Sequence, residues 1–197
     1  MSMQPLAALR TIAELRADAI VVPTMTTVAP WHEISPSVLN VSCIGFMGGA
    51  SALGLGLALA QPERRVIVLD GDGSLLMNLG SLVTIANVAP KNLVHCLCQN
   101  GTYETNGAVP IPGVGRVDFP ALARAAGYPR AYAFDALGDW EQALPALLCE
   151  EGPIFVDLHV EPGDTRFPND FRRLYSVESR EAFRRALAAQ PMPVGAV

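Results

Sequence analysis

Arg65-Val-Ile-Val-Leu69, followed at once by Asp70-Gly71-Asp72-Gly73-Ser74, decides the fold. Five residues rich in β-branched side chains read as a strand, and the pair of glycines after it allows a sharp turn. Leu75 to Val88 then reads as a helix, closed by Ala89-Pro90. Asn92-Leu-Val-His-Cys-Leu-Cys98 is a second strand of the same apolar kind. It runs into Gln99-Asn100-Gly101-Thr102-Tyr103. Strands that are apolar throughout are buried on both faces, which implies a parallel sheet covered by helices.

The same alternation continues outward. Leu6 to Arg16 has helical periodicity, Ala19 to Val22 is a short buried strand, and 23–40, with three prolines, reads as a loop. Gly48 to Leu59 reads as a glycine-containing buried helix. A Gly- and Pro-rich loop runs to Arg116, followed by helices over Asp118–Ala126 and Asp139–Glu150 and a strand over Pro153–His159. An irregular stretch from Glu161 to Tyr175 precedes a terminal amphipathic helix, Val177–Ala189. The fold class is α/β, a mainly parallel sheet with helices on both faces. In such sheets the ligand lies at the carboxyl ends of the strands, where the loops 70–74 and 99–107 both fall.

A chain of 197 residues suits one main domain, expected over 1–165, with a C-terminal extension over 166–197. It is 50% hydrophobic and 17% charged, which excludes global disorder, and a net charge of −5 argues against a nucleic-acid binder. The uncharged run Cys43–Ala60 approaches the length of a membrane span, but its five glycines argue against a lone apolar helix. The N-terminus lacks the pattern of a signal peptide. Cys43, Cys96, Cys98 and Cys149 show no metal-ligand spacing and read as reduced thiols of a cytoplasmic protein.

Two constellations carry chemistry. Gly71-Asp72-Gly73-Ser74 lies between a strand and a helix, so free N–H groups and the positive end of the helix dipole suit a phosphate. Asp72 would repel that phosphate unless a cation, Mg²⁺ or Ca²⁺, lies between them. Taken alone, an Asp-Gly after a strand is also an ordinary turn. Asn100, 28 residues further on, ends the neighbouring strand, so its carbonyl oxygen and a turn carbonyl would complete a hard-cation site with Asp72; taken alone, Asn100-Gly101 is also an ordinary turn.

Gly71-Asp72-Gly73, then 26 residues, then Asn100 resembles the thiamine-diphosphate signature of the decarboxylase and acetolactate-synthase superfamily. Gln99 stands where that signature usually has a first Asn. The resemblance implies that Asp72, Asn100 and the Thr102 carbonyl bind Mg²⁺, which anchors the cofactor's diphosphate. It implies that the amides of Gly73 and Ser74 face that diphosphate, with Gly71 and Tyr103 beside it. Gly45-Phe46-Met47-Gly48 is similar to the superfamily's Gly-Ser-Met-Gly segment. By that likeness the Gly45 carbonyl accepts from the aminopyrimidine and Met47 props thiamine in its bent, reactive shape. Within the superfamily the course of the chain, including Gly54–Ala60, Gly71–Gly80 and Asn100–Tyr103, is most similar to the β subunit of sulfopyruvate decarboxylase and the C-terminal half of phosphonopyruvate decarboxylase.

The resemblance implies a subunit of a 2-oxo acid decarboxylase, a hetero-oligomer completed by an α-type, pyrimidine-binding partner that supplies the catalytic Glu. Glu14, Glu33 and Glu104 do not match that Glu. Carboligation, oxidation by an acceptor, and a non-catalytic subunit that keeps the fold remain alternatives. Arg116, Arg166, Arg172 and Arg173 are candidates for a substrate anion by loop position alone. Of His32, His95 and His159, only His32 falls in a flexible loop.

Overall fold

The computed structural model describes residues 2–163 and 171–189. Helix α1 (Pro5–Leu15) leads into strand β1 (Ile20–Pro23), then helices α2 (Val28–Ile34) and α3 (Ala50–Ala60). Strand β2 (Val66–Gly71), helices α4 (Asp72–Leu76) and α5 (Ser81–Val88), and strand β3 (Leu93–Gln99) follow. Strands β4 (Thr102–Tyr103) and β5 (Val109–Pro110) form a small antiparallel hairpin. Helix α6 (Phe119–Ala126), strand β6 (Arg130–Phe134), helix α7 (Leu137–Cys149) and strand β7 (Ile154–His159) complete the main body, before α8 (Phe171–Leu174) and α9 (Val177–Ala188).

Five strands form one parallel sheet in the order β1-β2-β3-β7-β6. Side chains along each strand alternate between its faces. Ile67, Leu69, Val94, Cys96, Val156 and Leu158 pack against α1, α2 and α7 around Trp31 and Trp140. Val66, Val68, Leu93, Leu97 and Phe155 pack against α3, α4, α5 and α6 around Phe119. Burying one Leu, Ile or Phe contributes roughly 1.5–3 kcal/mol, so neither layer is dispensable. The chain steps from β1 to β3 and on to β6 through α3, α4, α5 and α6 on the second face, with α2 alone turned to the first. It steps back to β7 through α7 on the first, as right-handed crossovers require.

Five expectations are corrected. The segment 23–40 holds a 3-10 turn, Met25–Thr27, and α2. The Thr27 hydroxyl accepts from the Thr24 N–H (3.0 Å) and donates to the Thr24 carbonyl (2.8 Å), which nucleates the turn; Pro30 sits in the first helical turn, where a missing N–H costs nothing. Leu75–Val88 is not one helix. The chain tightens through Met77 N–H to Ser74 O (3.1 Å) and Asn78 N–H to Leu75 O (3.0 Å), because the Asn78 amide is drawn to the Gly48 carbonyl (3.0 Å). Strand β6 lies in a stretch with no strand expected, and the loop to Arg116 contains the β4–β5 hairpin. Helix α7 begins at Leu137, two residues early.

Part of the expected irregular stretch is helical at Phe171–Leu174, and Phe183 and Leu187 of α9 pack on the second-face core. Arg166 lies outside the described residues. No helix among the described residues is long and apolar enough to cross a membrane.

Candidate active site

The tips of β1, β2 and β3 lie side by side, because Pro23 pairs with Leu69 and Gly71 with Cys98. An open cleft of about 340 Å³ forms at that edge. It is lined by Met25, Thr26, Met47, Gly71, Asp72, Gly73, Ser74, Cys98, Asn100, Thr102, Tyr103, Glu104 and Thr105. Sequence reasoning singled out eight of these as site residues: Met47, Gly71, Asp72, Gly73, Ser74, Asn100, Thr102 and Tyr103. Gly45, the ninth, is exposed, has a positive φ of 74° and does not line the cleft.

Asp72 is the first residue of α4, where a carboxylate is favoured by the helix dipole. It is 1% exposed. Its Oδ1 accepts from the Gly73 N–H and its Oδ2 from the Gly101 N–H, both at 2.7 Å, so one carboxylate joins the tips of β2 and β3. Gly101 adopts a φ of 76° to make that approach. The Gly73 amide expected to face a diphosphate is therefore turned to Asp72, while Ser74 keeps an N–H that has no partner within the first turn of a helix. Asn100 Oδ1 accepts from the Thr102 N–H (2.9 Å) and the Thr102 hydroxyl (3.3 Å), so a cation there would displace the weaker of the two. A side chain at position 73 would meet the Tyr103 ring at 2.5 Å, so Tyr103 packs directly over Gly73.

Met47 reaches the cleft from the segment between β1 and α3. That segment is fixed at Cys43, whose N–H donates to Pro23 (2.9 Å) and whose carbonyl accepts from Thr24 Oγ1 (2.6 Å). It is fixed again at Gly48, whose N–H donates to Ser74 Oγ (3.0 Å).

The electrostatics are one-sided. Burial raises the Asp72 carboxyl above the ordinary carboxylate range, against the pull of the Gly101, Gly73 and Asn100 N–H groups; Glu104 raises it further. Burial also pushes Asp157 up to about 8, with Asp72 and Asp118 adding to it. Oriented with its nitrogen toward Asp157, the Gln99 amide donates to both carboxylate oxygens at 2.7 and 3.1 Å. Burial, then Asp72, Asp70, Asp157 and Glu104, push the Cys98 thiol up to about 12, so it is a neutral lining group and not a nucleophile. No Lys, Arg or His lines the cleft among the described residues. A divalent cation fits this environment, since it would neutralise a desolvated carboxylate that has no cationic partner among the described residues. No group of three or more His, Cys, Asp or Glu that would hold a metal unaided occurs among the described residues, so phosphate oxygens would supply further ligands.

Below the β2 tip, Asp70 accepts from the Gly71 N–H (2.9 Å) and lies 3.2 Å from His95 Nε2, both side chains being fully buried. His95 is thus a core residue, edge-on to Phe155 at 5.2 Å. His32 meets Ser42 Oγ at 2.8 Å, and His159 lies 3.4 Å from Asp157. Arg116 is exposed and outside the cleft, as is Arg172; the side chain of Arg173 lies outside what is described.

Met25, Thr26, Cys98, Glu104 and Thr105 were not expected as site residues. Met25 carries a φ of 48°, uncommon for a residue with a side chain and recurrent at functional sites. The available signal was the position of 24–27 directly after a strand that neighbours β2.

Strand tips that offer a buried carboxylate, a helix start and an amide oxygen define an α/β domain that binds a phosphorylated cofactor. Residues 23–158 match the family described as thiamine pyrophosphate enzyme, C-terminal TPP binding domain, and the chain belongs to that family. It is 41% identical to phosphonopyruvate decarboxylase of Streptomyces viridochromogenes over 155 residues, 78% of this chain and 38% of that protein. It is 43% identical to the β subunit of sulfopyruvate decarboxylase of Methanothermobacter thermautotrophicus over 137 residues, 70% of each. The chain thus spans less than half the length of the Streptomyces enzyme. A thiamine diphosphate-dependent 4-hydroxybenzoylformate decarboxylase of Rhodococcus jostii shares the fold, with a TM-score of 0.69 and 22% identity over 83% of this chain and 34% of that one.

Proposed function

We propose that this chain is the pyrophosphate-binding part of a thiamine-pyrophosphate- and Mg²⁺-dependent 2-oxo acid decarboxylase whose substrate carries a phosphonate or sulfonate. The observation that carries this reading is the Asp72 carboxylate, buried between two strand tips beside Asn100 with no cationic side chain lining the cleft among the described residues. Asp72, Asn100 and the Thr102 carbonyl would hold Mg²⁺. Ser74 N–H, with Gly71 and Gly73 as close backbone, would face the pyrophosphate, and Tyr103 would close over it. Met47 and the Gly45 carbonyl would support the thiamine ring system. When bound, that cofactor supplies the electron sink that lets a 2-oxo acid lose carbon dioxide. Met47, Cys98 and Tyr103 would then line the bound cofactor, and Asp72 must stay ionised to keep its cation.

The catalytic Glu and the substrate's anion site belong to an α-type partner, which also makes the enzyme a hetero-oligomer. Two features support a partner. The chain's match to a protein named as a β subunit is one. The other is the surface of α3 and α5. From Ser35 to Pro62 and from Gly73 to Pro90 the sequence holds no charged residue, yet Phe46, Leu59, Met77 and Val83 are exposed there. Four free cysteines suit a reducing compartment such as the cytoplasm.

The test is carbon dioxide and aldehyde release from phosphonopyruvate and sulfopyruvate by this chain assembled with its partner. Turnover is expected only with thiamine pyrophosphate, Mg²⁺ and both chains. Full turnover by the purified chain alone, or a ligated product in place of the aldehyde, overturns the reading.

A further inference from the structure

The segment Cys43–Gly49 carries Met47 into the cleft, and each of its anchors has the same form. At Cys43 and at Gly48, one residue has both its N–H and its carbonyl held by groups from elsewhere in the fold: Pro23 and Thr24 at one end, Ser74 and Asn78 at the other. Ile44 is held in the same way. Its carbonyl accepts from the Tyr175 hydroxyl at 2.7 Å, and its N–H donates to the same oxygen at 3.1 Å. The hydroxyl comes from 131 residues further along the chain. Next to Ile44 is Gly45, whose φ of 74° leaves the backbone free to swing. With Ile44 released, Ile44–Met47 would be held between its two fixed ends only at the Phe46 carbonyl, which accepts from the Gly49 N–H (3.2 Å) and the Cys43 thiol (3.6 Å) within the same segment.

The part of the chain that bears Tyr175 is itself secured. Ser176 caps α9 by accepting from the Ser179 N–H at 3.0 Å. Phe183 and Leu187 pack on the second-face core, and Arg64 donates to the Ala189 carbonyl at 3.1 Å. Ahead of it, the Gly163 N–H donates to the carboxylate of Glu104, another cleft residue. The chain after β7 therefore touches the site edge at two separate loops.

Resting on the proposed function, we infer that Tyr175 is a positioning residue for cofactor binding: its hydroxyl clasps Ile44 and so sets Met47 in the cleft. The C-terminal extension belongs to the site by this contact. Tyr175 is half exposed, so loss of its hydroxyl alters the loop and not the core.

The test is Tyr175→Phe in the full chain, which keeps the ring and removes only the hydroxyl. Amide exchange at Ile44, followed by NMR, is expected to accelerate about tenfold, the scale of one or two exposed hydrogen bonds. Exchange in β2 is expected to stay unchanged, and the Met47 methyl resonance of the unliganded chain to move or broaden. In the assembled protein, affinity for thiamine pyrophosphate with Mg²⁺ is expected to fall several-fold while the melting temperature and partner affinity hold. Unchanged Ile44 exchange overturns the inference. So does faster exchange with an unmoved Met47 methyl and unaltered cofactor affinity, which would make the contact structural only. An assembled wild type that takes up no thiamine pyrophosphate overturns the proposed function instead; the clasp is then decided by the exchange rates and the Met47 methyl.

Discussion

The two faces of the sheet are built on opposite plans. Under α1 and α7 the core around Trp31 and Trp140 is apolar but for two buried arginines, Arg16 at 5.7 Å over the Trp31 ring and Arg65 donating to the Leu148 and Glu150 carbonyls, and the outer surface is charged, with Arg10, Glu14, Asp139 and Glu141 exposed. Under α3, α5 and α6 the inner layer includes Asp70, His95 and Asp157, while the outer faces of α3 and α5 carry no charge. A protein face turned to water puts its charges outside. Buried polar groups under a charge-free exterior are what the proposed partner contact would need on this face. Both unusual features fall on the side where the strand tips bear Asp72 and where Met77 and Phe46 crowd the entrance to α3 and α5.

The sharpest way to break this contrast is Asp72→Asn. The change keeps the volume but removes the charge, and an amide cannot accept from both Gly73 and Gly101. Mg²⁺-dependent affinity for thiamine pyrophosphate is expected to fall roughly a hundredfold or more, since even outer-shell partners of a metal are worth 10–100-fold. Calorimetry on the assembled protein across a Mg²⁺ series measures it, and an unaltered affinity would remove the basis of the cation site. Next in size is Val83→Asp on α5. A charge within the proposed apolar contact should weaken partner association about thirtyfold, the scale of a hot-spot loss, while the thermal melt of the free chain stays put. Glu141→Gln on α7 is the matched control. Equal responses from Val83 and Glu141 in sedimentation measurements would show that the two surfaces do not differ in use.

How much of this was legible in the sequence follows the same division. Strands β2, β3 and β7 are buried on both sides, so their apolar runs announce them, and the turn Gly71-Asp72-Gly73 is local and visible. Strand β6 is an edge strand, half exposed along Arg130–Phe134, and its pattern never rises above that of a loop. The break at Met77–Gly80 depends on Asn78 reaching the Gly48 carbonyl, a pairing 30 residues distant that no local propensity encodes. The same holds at the site. Asp72 and Asn100 follow from spacing, whereas Met25 enters through sheet order and Tyr175 through a contact across most of the chain.

Asp157 supplies the finest test of the second face. Its carboxyl is raised to about 8 in the folded chain, chiefly by burial and then by Asp72 and Asp118, against an ordinary value near 3.8. Between those values the folded state holds a proton that the unfolded state has released. Stability from this group is therefore complete below the ordinary carboxylate range and is lost as pH rises toward about 8. Asp157→Asn cannot titrate, so denaturant melts from pH 4 to 9 should show a flatter decline than the wild type. The two should diverge least near pH 4 and most at about pH 8 and above, where the wild type has lost this contribution and Asp157→Asn has not. Asp72 adds a second handle. Removing its charge with Asp72→Asn should lower the Asp157 titration, read by carboxyl ¹³C NMR, because one of the neighbours that raises it is gone. An Asp157 titration indifferent to Asp72 would mean that the two carboxyls do not share an electrostatic environment, and that the polar layer of this face is structural filling, separate from the cleft above it.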